Sequence, residues 1–140
     1  MLQSRPGSRV KRSCEKVGQG RAPGAAISDN PGMNDTYTST EPARAEVDRC
    51  TGPTLIEFGS PTCGHCRRAQ PLLAEALGRH PGLRHFKIFD GPGRPLGRSF
   101  RVKLWPTLIF MRDGEEVARL VRPATAGEIS EALAAIDPAP

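Results

Sequence analysis

The most constraining feature of this sequence is an abrupt change of hydrophobic period near residue 60. Residues 54–58 form a short β-rich run, which Gly59-Ser60-Pro61 ends with a turn signal. Residues 61–79 show a helical pattern instead, with apolar side chains three and four residues apart at Leu72, Leu73, Ala76 and Leu77. A central strand that leads directly into an amphipathic helix predicts an α/β fold.

The segments downstream continue this alternation of strands and helices. Residues 83–89 and 107–111 are predicted strands, the second one apolar enough to be buried on both faces, and residues 95–100 are predicted to form a short helix. Asp113-Gly114 is a hairpin turn signal that leads into a strand at residues 116–121. Thr125 followed by Glu128 predicts a capping box at the start of the last helix. The predicted order β-α-β-α-β-β-α describes a mixed sheet flanked by helices, with a kink at Pro71 in the first of these helices.

The N-terminal segment differs from the rest of the chain in composition and charge. Residues 1–32 carry a net charge of +4 out of the chain's +5 and contain few large apolar side chains, which predicts a disordered basic arm. No aromatic residue is interleaved with its basic ones, so we expect a solvated arm and no nucleic-acid partner. We hypothesise that Met33 is the native start and that residues 1–32 are a non-native extension. Residues 33–140 are then one domain, with a core over about residues 52–137.

Other sequence properties bear on the location of the protein. No apolar stretch is long enough to span a membrane, and no apolar run follows the N-terminal basic residues as a secretory signal requires. Four cysteines are too few for a disulfide scaffold in 140 residues. We therefore expect a cytoplasmic protein with no membrane partner. A monomer is the default expectation for the predicted fold.

The motif Cys63-Gly64-His65-Cys66 lies where the predicted strand gives way to the predicted helix. Two thiols at this spacing can close into a small disulfide ring. A helix N-terminus favours a thiolate through its free N–H groups and its dipole, and a protonated His65 would stabilise the anion further. A stabilised thiolate is a good nucleophile near neutral pH and a good leaving group in disulfide exchange.

Two other interpretations of the cysteine pair remain open on the residues alone. The pair could be half of a zinc site, or it could consist of two structural thiols. A zinc site needs two more ligands, for which the candidates are His65, His80, His85, Cys14 and Cys50. We predict no metal, expect Cys14 to be a spectator in the arm, and keep regulation or dimer formation as a minor alternative for Cys50.

The chain resembles the thioredoxin family from about residue 54 to residue 136. Glu57 falls at the position of the family's buried strand carboxylate, Pro71 at its helix-kink proline, and Asp113-Gly114 at its hairpin. Trp105-Pro106-Thr107 matches the family's X-Pro-Thr sequence, in which the proline is cis and faces the disulfide. The resemblance implies a thioredoxin fold.

The resemblance also implies a mechanism that needs no cofactor. Cys63 attacks a substrate disulfide, Cys66 resolves the mixed disulfide, and Glu57 exchanges a proton with Cys66. A carboxyl group buried on an apolar strand is expected to have a raised pKa, although Glu57 could instead be a charge on a half-exposed edge. The resemblance further implies that Trp105, Pro106 and Thr107 bind substrate.

The implied partners are disulfide-containing proteins as substrates, and a reductase or a small thiol as electron donor. The family usually has Trp where Thr62 stands and frequently has Trp at Gly59, and Arg122-Pro123 replaces a common glycine by the groove. CGHC also resembles the motif of disulfide isomerases, whose potential is near −180 mV against roughly −270 mV for thioredoxin. We favour a reductase. Isomerase or oxidase activity, or a non-catalytic binding module, are the alternatives.

Overall fold

The computed structural model describes residues 37–138 apart from Ser39. A short helix precedes the sheet, and the elements follow in the order α1 (Arg44–Asp48), β1 (Pro53–Gly59), α2 (Gly64–Leu77), β2 (Arg84–Phe89), α3 (Pro95–Ser99), β3 (Thr107–Arg112), β4 (Glu115–Val121) and α4 (Ala126–Ile136). The strands form a sheet in the order β2-β1-β3-β4. The pair β1–β2 is parallel, and the pairs β1–β3 and β3–β4 are antiparallel. The predicted element order and the mixed sheet are confirmed.

The sheet is covered on both faces, because alternate side chains of β1 and β3 enter two separate apolar cores. One core joins Leu55 and Phe110 to the inner faces of α2 and α4, including Leu73 and Leu133. The other core lies on the opposite face and is formed by Val47, Cys50, Ile56, Phe58, Phe86, Ile88, Leu96, Phe100, Ile109 and Met111. Glu57 points to the same face as Leu55, beneath α2, because side chains two residues apart share one side of a strand.

Local sequence signals explain how β3, β4 and α4 are joined. Asp113 and Gly114 have φ values of 53° and 84°, as a two-residue type I′ hairpin turn requires. Thr125 caps α4 by accepting a hydrogen bond from the Glu128 backbone N–H, and the Glu128 side chain reaches back in the predicted capping box.

Pro71 lies inside α2, whose observed ends fall two to three residues inside the predicted ones.

Several predictions concern parts of the chain outside the described residues. These are the disordered arm over residues 1–32, the start at Met33 and the spectator role of Cys14, and they stay predictions. Cys50 lies just after α1 and is 3% exposed. Among the described residues, no helix is long and apolar enough to cross a membrane.

Candidate active site

Cys63 occupies the N-cap position of α2. Its backbone is extended (φ −88°, ψ 120°), and its Sγ accepts a hydrogen bond of 3.2 Å from the backbone N–H of Cys66. This is the contact that a helix N-terminus offers to a negatively charged group. The Cys63 thiol is free and half-buried, so a substrate disulfide can reach it.

Cys66 lies one turn into α2 and is 1% exposed, with a free thiol. Burial raises the pKa of Cys66 to about 11, and the hydrogen bond with Cys63 and its charge add to this effect. The backbone of Ser60 and the Tyr37 hydroxyl act in the opposite direction. The two cysteines are therefore unequal: one is accessible at a helix N-terminus, and the other is enclosed and held protonated.

Glu57 is fully buried and belongs to a polar cluster beneath α2. Its Oε2 accepts hydrogen bonds of 2.9 Å from the Tyr37 hydroxyl and from Gln70 Nε2, and its Oε1 lies 3.1 Å from His85 Nε2. Lys87 is connected to this cluster through a 2.7 Å hydrogen bond from its Nζ to Gln70 Oε1. The alternative of a half-exposed edge charge is therefore wrong.

The expected raised pKa of Glu57 is also wrong. Burial does raise it, but the hydrogen bond and charge of His85, the charge of Lys87 and the hydrogen bond from Gln70 together outweigh burial. The pKa of Glu57 is consequently below its ordinary value. A buried carboxylate that accepts several hydrogen bonds and faces a cation is stabilised in its charged form.

His65 is fully exposed at the start of α2, with its Nδ1 3.5 Å from an Arg68 guanidinium nitrogen. The charge of Arg122, with a smaller part from Arg68, lowers the pKa of His65. A protonated His65 is therefore less populated at neutral pH than an ordinary histidine would be. A protonated His65 therefore contributes less to stabilising the Cys63 thiolate than the sequence analysis expected.

Trp105, which precedes Pro106 and Thr107, lies beside Cys63. The Trp105–Pro106 peptide bond is cis, as the resemblance implied, and the Trp105 carbonyl oxygen is 3.9 Å from Cys63 Sγ. The Trp105 indole N–H donates to Asp90 Oδ2 at 2.8 Å, and its ring borders a shallow cavity of about 230 Å³. Thr107 is 1% exposed and its hydroxyl donates to the Leu104 carbonyl, so its side chain faces inward.

Arg122 contacts the backbone of Trp105 and Pro106. Its Nε donates to the Trp105 carbonyl oxygen at 2.9 Å, and its backbone N–H donates to the Pro106 carbonyl at 3.0 Å. Arg122 has a φ of 53°, a conformation that favours glycine. The arginine that replaces the family's common glycine therefore contacts the carbonyl oxygen that lies 3.9 Å from Cys63 Sγ.

The polar cluster contains residues that sequence reasoning missed. Sequence reasoning offers His85 only as a ligand for the zinc alternative and gives no role to Tyr37, Gln70 or Lys87. His85 and Lys87 alternate with apolar residues on β2, and this alternation places both on the face of Glu57. Tyr37 had no comparable signal, since it lies 20 residues before Glu57 and contacts it only in the folded chain.

The zinc alternative finds no set of ligands in the part of the chain that the structure describes. No three His, Cys, Asp or Glu side chains among these residues are grouped so as to hold an ion. His80 bonds to Asp137 at 2.8 Å, and His85 bonds to Glu57.

The fold and the site together define a dithiol centre at a helix N-terminus, on a mixed sheet between two layers of helices. The thioredoxin family model matches residues 36–135, and the chain belongs to this family. Members of the family are oxidoreductases that act on disulfides.

Individual relatives agree with this assignment. Thioredoxin 2 from Pseudomonas aeruginosa PAO1, solved in its reduced form, is 57% identical with a TM-score of 0.68, covering 74% of this chain and 96% of that chain. The thioredoxin of Chlamydia pneumoniae is 36% identical over 72 residues, 51% of this chain and 70% of that protein. Thioredoxin H2-1 of Oryza sativa subsp. japonica is 33% identical over 67 residues, 48% of this chain. The match spans only 49% of that plant protein's own length.

Proposed function

We propose that this chain is a thiol–disulfide oxidoreductase that reduces disulfides through Cys63 and Cys66. The observation that carries the proposal is the inequality of the two free thiols. Cys63 is half-exposed at the N-terminus of α2 and accepts a backbone N–H, whereas Cys66 is enclosed and its pKa is raised to about 11. An accessible nucleophile and a protected second thiol suit sequential disulfide exchange.

The proposed reaction has two exchange steps. Cys63 thiolate attacks one sulfur of the substrate, forms a mixed disulfide and releases the first substrate thiolate. Cys66 then loses its proton and attacks Cys63 Sγ, which forms the Cys63–Cys66 disulfide and releases the second substrate thiolate. Two electrons pass to the substrate, so an external dithiol reductase or a small thiol must reduce Cys63–Cys66 again.

The remaining site residues have proposed roles around this exchange. Trp105, whose carbonyl oxygen lies 3.9 Å from Cys63 Sγ, and the neighbouring Pro106 are proposed to contact substrate, while the inward-facing side chain of Thr107 supports only an indirect part in substrate binding. Glu57 is proposed to take up and return the proton of Cys66. His65 is proposed to modulate the thiolate, weakly because its pKa is lowered.

We favour a reductase over an isomerase or oxidase because of the proposed location, and the electrostatics of His65 are compatible with this choice. A histidine cation beside Cys63 would stabilise the thiolate and make the disulfide more oxidising. Arg122 and Arg68 disfavour that cation, which weakens the contribution of His65 to an oxidising potential. The proposed location is the cytoplasm, where thiols are kept reduced, and the similarity to a bacterial thioredoxin supports it. The proposed state is a monomer.

The test is the redox equilibrium of the full chain across a series of glutathione ratios, read by thiol trapping, together with insulin reduction by dithiothreitol. We expect a reversible Cys63–Cys66 disulfide near the thioredoxin potential and accelerated insulin reduction that Cys63→Ser abolishes. A potential near −180 mV would instead establish the isomerase or oxidase alternative. Equal insulin reduction by the wild type and Cys63→Ser would establish a non-catalytic binding module.

A further inference from the structure

Tyr37 reaches the dithiol site from the segment that precedes the sheet. Its neighbour Thr38 pairs with Ile88 in an isolated parallel bridge, through hydrogen bonds from Thr38 N–H to Lys87 O (2.9 Å) and from Phe89 N–H to Thr38 O (3.0 Å). The Lys87 ammonium lies 4.7 Å from the centre of the Tyr37 ring. These contacts hold the phenol above the polar cluster of Glu57.

The Tyr37 hydroxyl lies between two groups that the proposed reaction needs. It donates to Glu57 Oε2 at 2.9 Å, and it lies close enough to the Cys66 thiol to lower the pKa of Cys66 by offering a hydrogen bond. A Cβ atom at Gly59 would lie 2.7 Å from the hydroxyl oxygen and 2.8 Å from Cys66 Sγ. The absence of a side chain at Gly59 therefore creates the space in which the phenol and the thiol meet.

A phenol has one proton but can also accept a hydrogen bond. In the resting state this proton goes to the Glu57 carboxylate. The Tyr37 oxygen is then available to accept the S–H of Cys66. Cys66, Tyr37 and Glu57 can thus form one continuous chain of hydrogen bonds from the resolving thiol to a buried base.

We propose that Tyr37 is the proton relay between Cys66 and Glu57 in the resolving step, an inference that rests on the proposed function. The Tyr37 proton moves to Glu57 Oε2 while the Cys66 proton moves to the Tyr37 oxygen. The products are a Cys66 thiolate, a neutral Tyr37 and a protonated Glu57. Both hydrogen bonds reverse direction without movement of any heavy atom, so the new thiolate is stabilised by a donor at the moment it forms.

The mixed disulfide favours this transfer more than the reduced protein does. In the reduced protein, the hydrogen bond and the charge of Cys63 both contribute to the raised pKa of Cys66. Once Cys63 Sγ is bonded to substrate, it carries no charge and these contributions disappear. The relay therefore operates when Cys66 must become a nucleophile and is opposed while Cys63 is a free thiolate.

The titratable groups around the relay come from three elements. Glu57 faces it from β1, His85 and Lys87 from β2, and Cys63 and Cys66 from α2. The pKa of Tyr37 itself is raised, first by burial and then by the charge of Glu57. Tyr37 consequently stays neutral and passes protons without becoming a charged intermediate.

The experiment separates the two exchange steps with Ellman's reagent in a stopped-flow instrument, on the full chain. Attack by Cys63 releases one nitrothiobenzoate, and resolution by Cys66 releases a second. We expect Tyr37→Phe to slow the second release about 100-fold at neutral pH, the lower end of the range for a positioned proton carrier, and to leave the first unchanged. The difference should narrow as the pH rises toward the Cys66 pKa of the mixed disulfide, which is lower than the value of about 11 in the reduced protein because the Cys63 contributions are gone, and solvent then removes the proton.

Three controls make the result specific to the relay. Thr40→Val removes an exposed hydroxyl from the same segment and should leave both releases unchanged. Cys66→Ser measures the background of nitrothiobenzoate that is released by reactions other than resolution. In the double variant of Tyr37→Phe with Glu57→Gln, resolution should be no slower than in the slower single variant, because two residues that act in series are not additive.

A second measurement does not depend on the folding of a variant. Tyr37 is the only tyrosine of the chain, so 3-fluorotyrosine incorporated throughout the protein labels this site alone. We expect its fluorine resonance to shift when the Cys63–Cys66 disulfide forms, and the labelled protein to retain fast resolution.

Each outcome decides a different question. A second release that is equal in the wild type and Tyr37→Phe at every pH, or an equal slowing of both releases, would overturn the relay. So would a fluorine resonance that does not respond to the disulfide. A wild type that never completes the second release would instead overturn the proposed reductase function.

Discussion

Cys63 and Cys66 are separated by two residues, yet their surroundings assign them different chemistry. The first thiol accepts a backbone N–H at a helix N-terminus, and the second is enclosed beneath Tyr37 and Gly59. Glu57 and His65 also depend on their surroundings, because the pKa of each is shifted by residues that are distant in sequence. At the residue scale, the site is controlled by neighbours in space.

Alkylation tests the difference between the two thiols. Iodoacetamide should modify Cys63 well before Cys66 at neutral pH, because a thiol with a pKa of about 11 is only about one part in ten thousand thiolate there. Peptide mass mapping after timed quenching measures both rates. Alkylation of Cys66 should remain slow in a Cys63→Ser variant. That result would show that the slow rate is not caused by shielding from an alkylated Cys63. Equal rates at the two thiols would contradict the description of the site.

At the scale of elements, α2 and α4 have different tasks on the same face of the sheet. The N-terminus of α2 presents Cys63, and its inner face carries Cys66 and Gln70 to the buried cluster. α4 supplies Ile129, Leu133 and Ile136 to the core. The capping box at Thr125 determines where this second helix begins.

Thr125→Ala should reduce the free energy of unfolding by about 1 kcal/mol, because a backbone N–H of α4 loses its acceptor. Urea denaturation at neutral pH measures the change. Glu131→Ala alters an exposed position of the same helix and should change stability by less than about 0.5 kcal/mol. A Thr125→Ala variant as stable as the wild type would show that the cap does not hold α4 in place.

For the whole molecule, the buried Glu57 couples folding to pH. Its pKa is lowered in the folded chain, so the folded state binds fewer protons than the unfolded chain near the ordinary value of 4.5. The stabilisation is therefore present above that pH and is lost as the pH falls through the lowered pKa. Other carboxylates titrate in the same range, so the informative quantity is a difference between variants.

We expect the stability difference between the wild type and Glu57→Gln to be largest near neutral pH and to shrink as the pH falls below about 4.5. Urea midpoints measured across this range test it. Glu75→Gln, at an exposed position of α2, serves as the matched control and should show little difference at any pH. A Glu57→Gln difference that stays constant from neutral to acid pH would rule out the lowered pKa.

Much of the fold was predictable because its signals are local. The change from strand to helix near residue 60, the Asp113-Gly114 turn and the Thr125–Glu128 cap all depend on residues within a few positions of one another. The location of Cys63 and Cys66 at a helix start follows from the same local pattern. Helix ends were less well predicted, because the helical pattern spans residues 61–79 whereas α2 begins at Gly64 and ends at Leu77.

The sequence by itself determined the order of elements, the burial of the strand at residues 107–111 on both faces and the dithiol at the start of a helix, because hydrophobic period and capping act over short distances. Only the tertiary structure decided the charge state of the site. His85 and Lys87 on β2 outweigh the burial of Glu57, Arg122 after β4 acts on His65, and Tyr37 meets Cys66 above Gly59. These effects depend on distances between elements that are far apart in the chain, and electrostatic energies follow those distances and not the sequence spacing.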